Sequence, residues 1–418
     1  VYAIADNFLT KVKGPRPVGH KIFLQGGVAL NHAVACAFAH HVDRSVLVPP
    51  HPELLGAQGV ALLALRRSGA DRATDLETLS KEEIKKRGSF VCQACGLHCT
   101  IDRLEVAGRR FPFGGRCSLF ENVWKRRARV APARDLVQER AELLFASGER
   151  PRGAGRPPVG VPRALCTHSL FPLFRGFLEG IGFEVVLSGV DPAGQFKVHA
   201  GFCFPAQIAH GAVLDLVRRD IDLVFFPHVV RMPNPGGNKE AYLCPITQAG
   251  PYVLSKAFAG TRFLTPQLDF RHGYGRDRAL VEMAVEELGV DRAAAEAAFA
   301  AAVAEQESVE RSLRRLGRQA LEEALGSQAP AIVLVGRSYN AFTPDASQSV
   351  GRKLASMGVM AIPADCLETV TTGPMVRHDS NTILNAVSNA KRHANLTPHY
   401  VTNFSCPLDS FTHELLLG

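Results

Sequence analysis

No stretch of this 418-residue sequence is apolar for long enough to cross a membrane. The most apolar run, 22–39, is broken by Gln25, Asn31 and His32. No segment reads as a secretory signal, so the ten cysteines are expected to stay reduced, in a cytoplasmic setting, rather than pair as disulfides. The net charge is +8, but the positive residues are not gathered on one segment. Their densest run, Lys125-Arg126-Arg127-Ala128-Arg129, reads as a solvated linker and not as a nucleic-acid patch. No compact cluster of His, Asp and Glu is present, which ranks a plain metal-dependent hydrolase last.

What is present is ordinary globular composition, 46% hydrophobic and 21% charged, over a length that suits two to four domains. The chain opens on Val1 inside a segment that reads as helical and closes on an amphipathic run, so it is expected to be part of a longer protein.

The pattern predicts an α/β protein. Residues 1–80 alternate strand and helix: strands at 21–25 and 45–48, helices at 33–41 and 54–65. Residues 81–130 show little apolar periodicity but hold Cys92, Cys95, Cys99 and Cys117. Residues 131–157 read as a linker, rich in Arg, Pro and Gly towards the end. The rest hints at an internal repeat. The strand 159–161 leads through Pro162-Arg163 to a helix and then the strand 181–188; the strand 332–335 leads through Gly336-Arg337 to a helix and then 357–363. These starts predict two doubly wound, Rossmann-like lobes, 158–275 and 329–418, joined by a helical segment, 276–328. Ligands of such sheets sit beyond the carboxyl ends of the strands, which aims the Arg163 and Arg337 loops at a shared crevice. Either arginine can bind an anionic group there or pair with an acid or a helix carbonyl, and the residues alone leave both open.

Three cysteines share one local setting. Cys203-Phe204-Pro205, Cys244-Pro245 and Cys406-Pro407 each place a thiol just ahead of a proline at an expected helix start. A helix N-terminus favours thiolate, the form that binds metal, and three thiolates from separate loops can cap three irons of a cubane. The alternative is that each is a small buried hydrophobe; three copies of the setting favour the cluster. Cys92-x2-Cys95-x3-Cys99, with Cys117 after Gly114-Gly115-Arg116, fits a closed tetrahedral zinc site or a second iron–sulfur cluster. His98 reads as a surface neighbour of that set and His210 as a satisfied core histidine. Gln25-Gly26-Gly27, followed by Asn31, lets backbone approach a nucleotide, though such turns are common.

Together these motifs resemble a known family. Residues 23–31, with 46–57, look like the end of an actin-like ATPase domain, similar to the activators of 2-hydroxyacyl-CoA dehydratases and to benzoyl-CoA reductase ATPase subunits. Val159-Gly160-Val161-Pro162-Arg163, Cys203-Phe204-Pro205, Gly336-Arg337-Ser338-Tyr339-Asn340 and Thr402-Asn403-Phe404-Ser405-Cys406 resemble the domain fused to long activase-like proteins, itself similar to dehydratase subunits and double-cubane proteins. The resemblance implies a [4Fe-4S] cluster or a larger double cubane, and adenosine contact at Gly26, Gly27 and Asn31. It also implies ATP and magnesium in the full-length protein, a ferredoxin or flavodoxin as electron donor, an acyl-CoA or other small acceptor, and a homodimer. The first phosphate loop and catalytic acid of the ATPase would lie upstream, so this chain alone is not expected to hydrolyse ATP. After Cys406 the family has Gly-Pro-Asp-Ser-Phe, and here Pro407-Leu408-Asp409-Ser410-Phe411 stands. The alternative function is a non-catalytic, zinc-containing regulatory or scaffold module.

Overall fold

The structure is a computed structural model. It describes residues 1–13, 16–68, 77, 81, 83–93, 99–106, 108–115, 120, 131–145, 155–198, 203–233, 240–327, 329–368, 376–403 and 406–417. The chain divides into two units, Val1–Lys85 with Val106–Arg109, and Lys86–Glu105 with Arg110–Gly418. The architecture is mixed α/β with parallel sheets.

In the first unit, β1 (Ile22–Phe23) pairs in parallel with β2 (Val46–Leu47), Ile22 opposite Val46. Between them the chain turns at Gly26, whose φ of 93° lies in the region that favours glycine, and enters a 3-10 turn, Gly27–Leu30. The helix His32–Val42 follows, capped by the Asn31 side chain, which accepts from the Ala33 N–H at 3.1 Å. Val34 and Ala37 form its buried face, and a second helix runs over Leu55–Ser68.

The second unit begins with a three-stranded sheet in the order β3 (Lys85–Val91), β4 (Thr100–Val106), β5 (Arg109–Phe113). Here the sequence showed no apolar alternation. Charge links two of these strands instead: Lys86 reaches Asp102 at 2.8 Å and Arg87 reaches Glu105 at 3.0 Å, with Ile101 buried beneath. Within the stretch read as a linker, the helix Leu136–Phe145 buries Leu136, Arg140 and Leu144.

Two parallel sheets follow. The first comprises β6 (Pro158–Val161), β7 (Glu184–Leu187), β8 (Leu223–Phe225) and β10 (Arg262–Leu264), ordered β7-β6-β8-β10. Just after β8 and β10, β9 (His228–Arg231) and β11 (Gln267–Asp269) pair in parallel as a small extension. The second comprises β12 (Ala331–Val335), β13 (Ala361–Pro363) and β14 (Leu396–Tyr400), ordered β13-β12-β14. Each sheet thus places its second strand on one side of its first and its third on the other, which makes a switch point beside the first strand. Val159, Val161, Val224 and Phe225 are buried in one core and Val333, Leu334 and Val335 in the other, as strands covered on both faces require.

The 36-residue helix Arg292–Ser327, about 54 Å long at 1.5 Å per residue, runs past both cores. Ala295, Phe299 and Ala302 face the first, and Leu313, Leu316 and Ala320 the second. Between these sets, Gln306 reads one turn of the helix Thr167–Gly180: its Nε2 donates to the Ser169 carbonyl at 3.0 Å and its Oε1 accepts from the Leu173 N–H at 3.3 Å. That turn needs help because Pro172 sits inside the helix and offers no N–H to the His168 carbonyl. Arg140 Nη2 donates to that carbonyl at 2.9 Å.

Candidate functional site

The loops that leave the carboxyl ends of the strands carry the three Cys-Pro cysteines. Cys203 is the N-cap residue of the helix Phe204–Arg218, with its carbonyl accepting from the Ala206 and Gln207 N–H groups. Cys244 holds the same place on Pro245–Ala257, and the Gln248 N–H bonds its carbonyl at 3.0 Å. Cys406 directly precedes the helix Pro407–Leu417, and its carbonyl accepts from Ser410 N–H at 3.1 Å. All three are buried.

The cysteines feel one another. Burial pushes the Cys203 thiol up, the charges of Cys244 and Cys406 add to this, and Arg337 opposes it. Burial likewise raises Cys406, again against Arg337. Asn403, on the Cys406 loop, brings its Nδ2 to 3.9 Å from the Cys203 sulfur. The Asp409 backbone N–H points at the Cys406 sulfur at 3.4 Å. Among the described residues, no three His, Cys, Asp or Glu side chains surround a single metal ion.

Arg337 is central to this arrangement. It is 3% exposed, and its Nη2 donates to Asp409 Oδ2 at 2.6 Å. Asp409 also accepts from the Tyr400 hydroxyl at 3.1 Å and from the Asn403 N–H at 2.8 Å. Of the two roles the sequence left open for Arg337, the structure pairs it with an acid. Arg163 lies 4.3 Å over the Phe145 ring, and its backbone N–H donates to Ser188 Oγ at 2.8 Å. His210 is a satisfied core histidine: its Nδ1 bonds the Ala206 carbonyl at 2.8 Å and its ring tilts against Phe258.

Beside the cysteines lie two adjoining cavities of about 190 and 60 Å³, which share Ser169, Met232, Asp365, His378 and Thr382. The smaller is walled by Leu243 and Gly336, the neighbours of Cys244 and Arg337, and by the thiol-bearing Cys166. Burial pushes Cys166 up to about 12. At the cavity wall, burial depresses His378 and raises Asp379. Sequence reasoning named neither, nor Cys166. Asp409 stood without a role in the run after Cys406, and no local spacing announces its partner Arg337, 72 residues away.

His168 provides a pH test of the packing here. It is buried, its Nε2 donates to the Arg163 carbonyl at 3.2 Å, and burial, then the Arg163 and Arg140 charges, push it down to about 3. The unfolded chain binds this proton near pH 6.5, so the contribution is complete above pH 6.5 and is lost as pH falls towards 3. Between pH 6.5 and 5, urea unfolding should show a loss of about 2 kcal/mol that His168→Gln lacks. Parallel pH profiles for the two proteins would contradict the buried, neutral assignment.

Two of the four cysteines of the closer-spaced set are described. Cys92 and Cys99 face each other across the β3–β4 connection, Cys92 N–H donating to the Cys99 carbonyl at 2.9 Å. Gly115 stands against Cys99, for a Cβ built on it would lie 4.0 Å from the Cys99 Cβ. Cys95, His98 and Cys117 lie outside the described residues. In the first unit, a Cβ on Gly26 or Gly27 would meet nothing within 4 Å, so this backbone is open on that side. Asn31 spends its side-chain oxygen on the helix cap.

Among the described residues, no helix is long and apolar enough to cross a membrane. No curated protein matches the chain. Residues 158–367, half of the chain, match the family model described as the CoA enzyme activase uncharacterised domain (DUF2229). That span includes the first sheet, Cys203, Cys244 and Arg337, and it ends before β14 and Cys406. The chain belongs to the CoA enzyme activase uncharacterised-domain family and is a 2-hydroxyacyl-CoA dehydratase activase-related protein.

Proposed function

We propose that this chain is the cysteine-bearing redox part of an activase-related protein, with Cys203, Cys244 and Cys406 holding a [4Fe-4S] cluster or a larger double cubane. The observation that carries the reading is the set of three buried cysteines at three helix starts, within reach of one another's charge and beside Arg337. The donor set fits such a group. Thiolates that cap separate irons stand further apart than the ligands of one ion, so a single-ion arrangement is not required. Helix N-termini and the Arg337 cation favour the thiolate form, and the Asp409 N–H supplies a hydrogen bond to sulfur of the kind that tunes such clusters. When bound, the cluster supplies one-electron transfer at low potential.

The protein's own residues divide the remaining work. Arg337 and Asp409 fix the Cys406 loop, and Asn403, whose N–H Asp409 accepts, turns its side-chain amide towards the Cys203 sulfur. The small cavities offer a place for an acyl-CoA acyl group or another small acceptor, with His378 and Asp379 at the wall. The reading of two doubly wound lobes around this crevice rests on the strand orders. A dehydratase component as partner is in keeping with the family, and to it this reading adds an electron donor, an ATP-driven actin-like domain and a homodimer. The open backbone at Gly26 and Gly27 suits adenosine contact.

The test is anaerobic purification with iron, acid-labile sulfide and zinc analysis, beside a triple Cys203/Cys244/Cys406→Ser variant and a quadruple Cys92/Cys95/Cys99/Cys117→Ser variant. The triple variant should lose the iron and sulfide that the quadruple variant keeps. Zinc as the only metal, or iron indifferent to the triple substitution, would overturn the reading in favour of a zinc-stapled regulatory module.

A further inference from the structure

The second unit has a third concavity that the cysteine chemistry does not use. It is a groove of about 750 Å³ between the helices Phe204–Arg218 and Pro245–Ala257, closed at one end by the 3-10 turn Pro192–Lys197. That volume is within the range of small-molecule sites, and its walls are mainly apolar, as such sites are. Ala209, Ala249 and Leu254 line it, Val253 projects at its edge, and Phe196 stands 83% exposed beside it. An exposed apolar surface of this kind marks a binding site more often than chance.

The charges at the rim have one sign. Among the described residues, Lys197 and Lys256 both line the groove, no acid does, and neither lysine forms an ion pair. The Lys256 ammonium lies 5.6 Å from the Tyr252 ring centroid and that of Lys197 lies 5.7 Å from that of Phe258, so each cation rests over an aromatic ring rather than against an acid. His210 in the wall gives its Nδ1 to the Ala206 carbonyl.

We propose that this groove binds a small organic anion with an apolar body, the body lying between the two helices and the anionic end held by Lys197 and Lys256. The inference is independent of the cluster reading, because it uses none of the cysteines.

The probe is decanoate, titrated calorimetrically into the full chain, with decyltrimethylammonium as the same body carrying the opposite charge and butyrate as the same head without the body. Decanoate should bind at one site, at least tenfold more tightly than either control. Val253→Glu, which places a carboxylate at the exposed edge, and the double variant Lys197→Gln/Lys256→Gln should each weaken decanoate at least tenfold while melting like the wild type. Equal binding of the cationic control, or decanoate binding indifferent to both variants, overturns the proposal. So does a concentration-dependent dimer that Val253→Glu dissociates and decanoate does not, for then a second copy of the chain covers the groove.

Discussion

Arg337→Met is expected to cost about 3–5 kcal/mol of folding stability, the cost of leaving one partner of a buried ion pair alone. Side-chain exposure is 3% for Arg337 and 4% for Asp409. Without the guanidinium, the partners left to Asp409 among the described residues are the Tyr400 hydroxyl and the Asn403 N–H. The double variant Arg337→Met/Asp409→Leu should regain most of the loss, since an apolar pair of similar volume avoids the desolvation of both charges. Urea unfolding of the wild type and both variants reads the effect. The single variant has a chemical consequence too. Arg337 opposes the rise of both Cys203 and Cys406, so its removal leaves both thiols less acidic and slower to alkylate at pH 8. If Arg337→Met unfolds at the wild-type midpoint, the pair is not buried in solution and the proposed thiolate environment falls with it.

Gly317→Ala should destabilise the chain by about 3 kcal/mol, although alanine is the better helix former. A Cβ on Gly317 would stand 2.0 Å from the Cys366 carbonyl oxygen and 2.5 Å from its carbon. These are backbone atoms of the 3-10 turn Ala364–Cys366, so no side-chain rotation relieves the overlap. The long helix must instead move away from the turn that carries Asp365. Nine residues on, in the same helix, a Cβ on Gly326 would meet nothing within 4 Å. Gly326→Ala should therefore stabilise by up to about 1 kcal/mol. The opposite signs of one substitution at two sites of one helix test the packing directly. Stabilisation by both would mean that helix and turn do not touch.

What could be read in the sequence was local. The run Ile332–Val335 forms β12, and Val159–Val161 lies within β6, because buried parallel strands leave unbroken apolar stretches. Cys203 and Cys244 occupy helix N-caps because proline one or two residues later suits a first turn and little else. What could not be read was either unpatterned or distant. Strands β3 and β4 carry cross-strand charge pairs rather than apolar alternation, and their residues look like a loop when read alone. Arg140 meets His168 across 28 residues and Asp365 across 225, and no spacing rule announces either contact. His378 and Asp379 reach the cavity wall for the same tertiary reason. Arg337 shows the boundary between the two kinds: its loop was evident from Gly336-Arg337, but the acid that claims it lies 72 residues away.

Arg140 also ties together two parts of the second unit that lie far apart in sequence. Its guanidinium grips Asp365 with two nitrogens, Nε at 2.9 Å and Nη2 at 2.5 Å, while the same Nη2 holds the His168 carbonyl that Pro172 released. Asp365 belongs to the half built on β12, and His168 to the half built on β6. The cation is thus a rivet through both walls, itself only 1% exposed and backed by the Phe342 ring at 4.8 Å. A clamshell that opened by rotating one half against the other would have to shear this rivet and strand a buried charge. The width between the two halves is thus tied to one side chain, and a change in it would carry the cost of parting that buried cation from its acid.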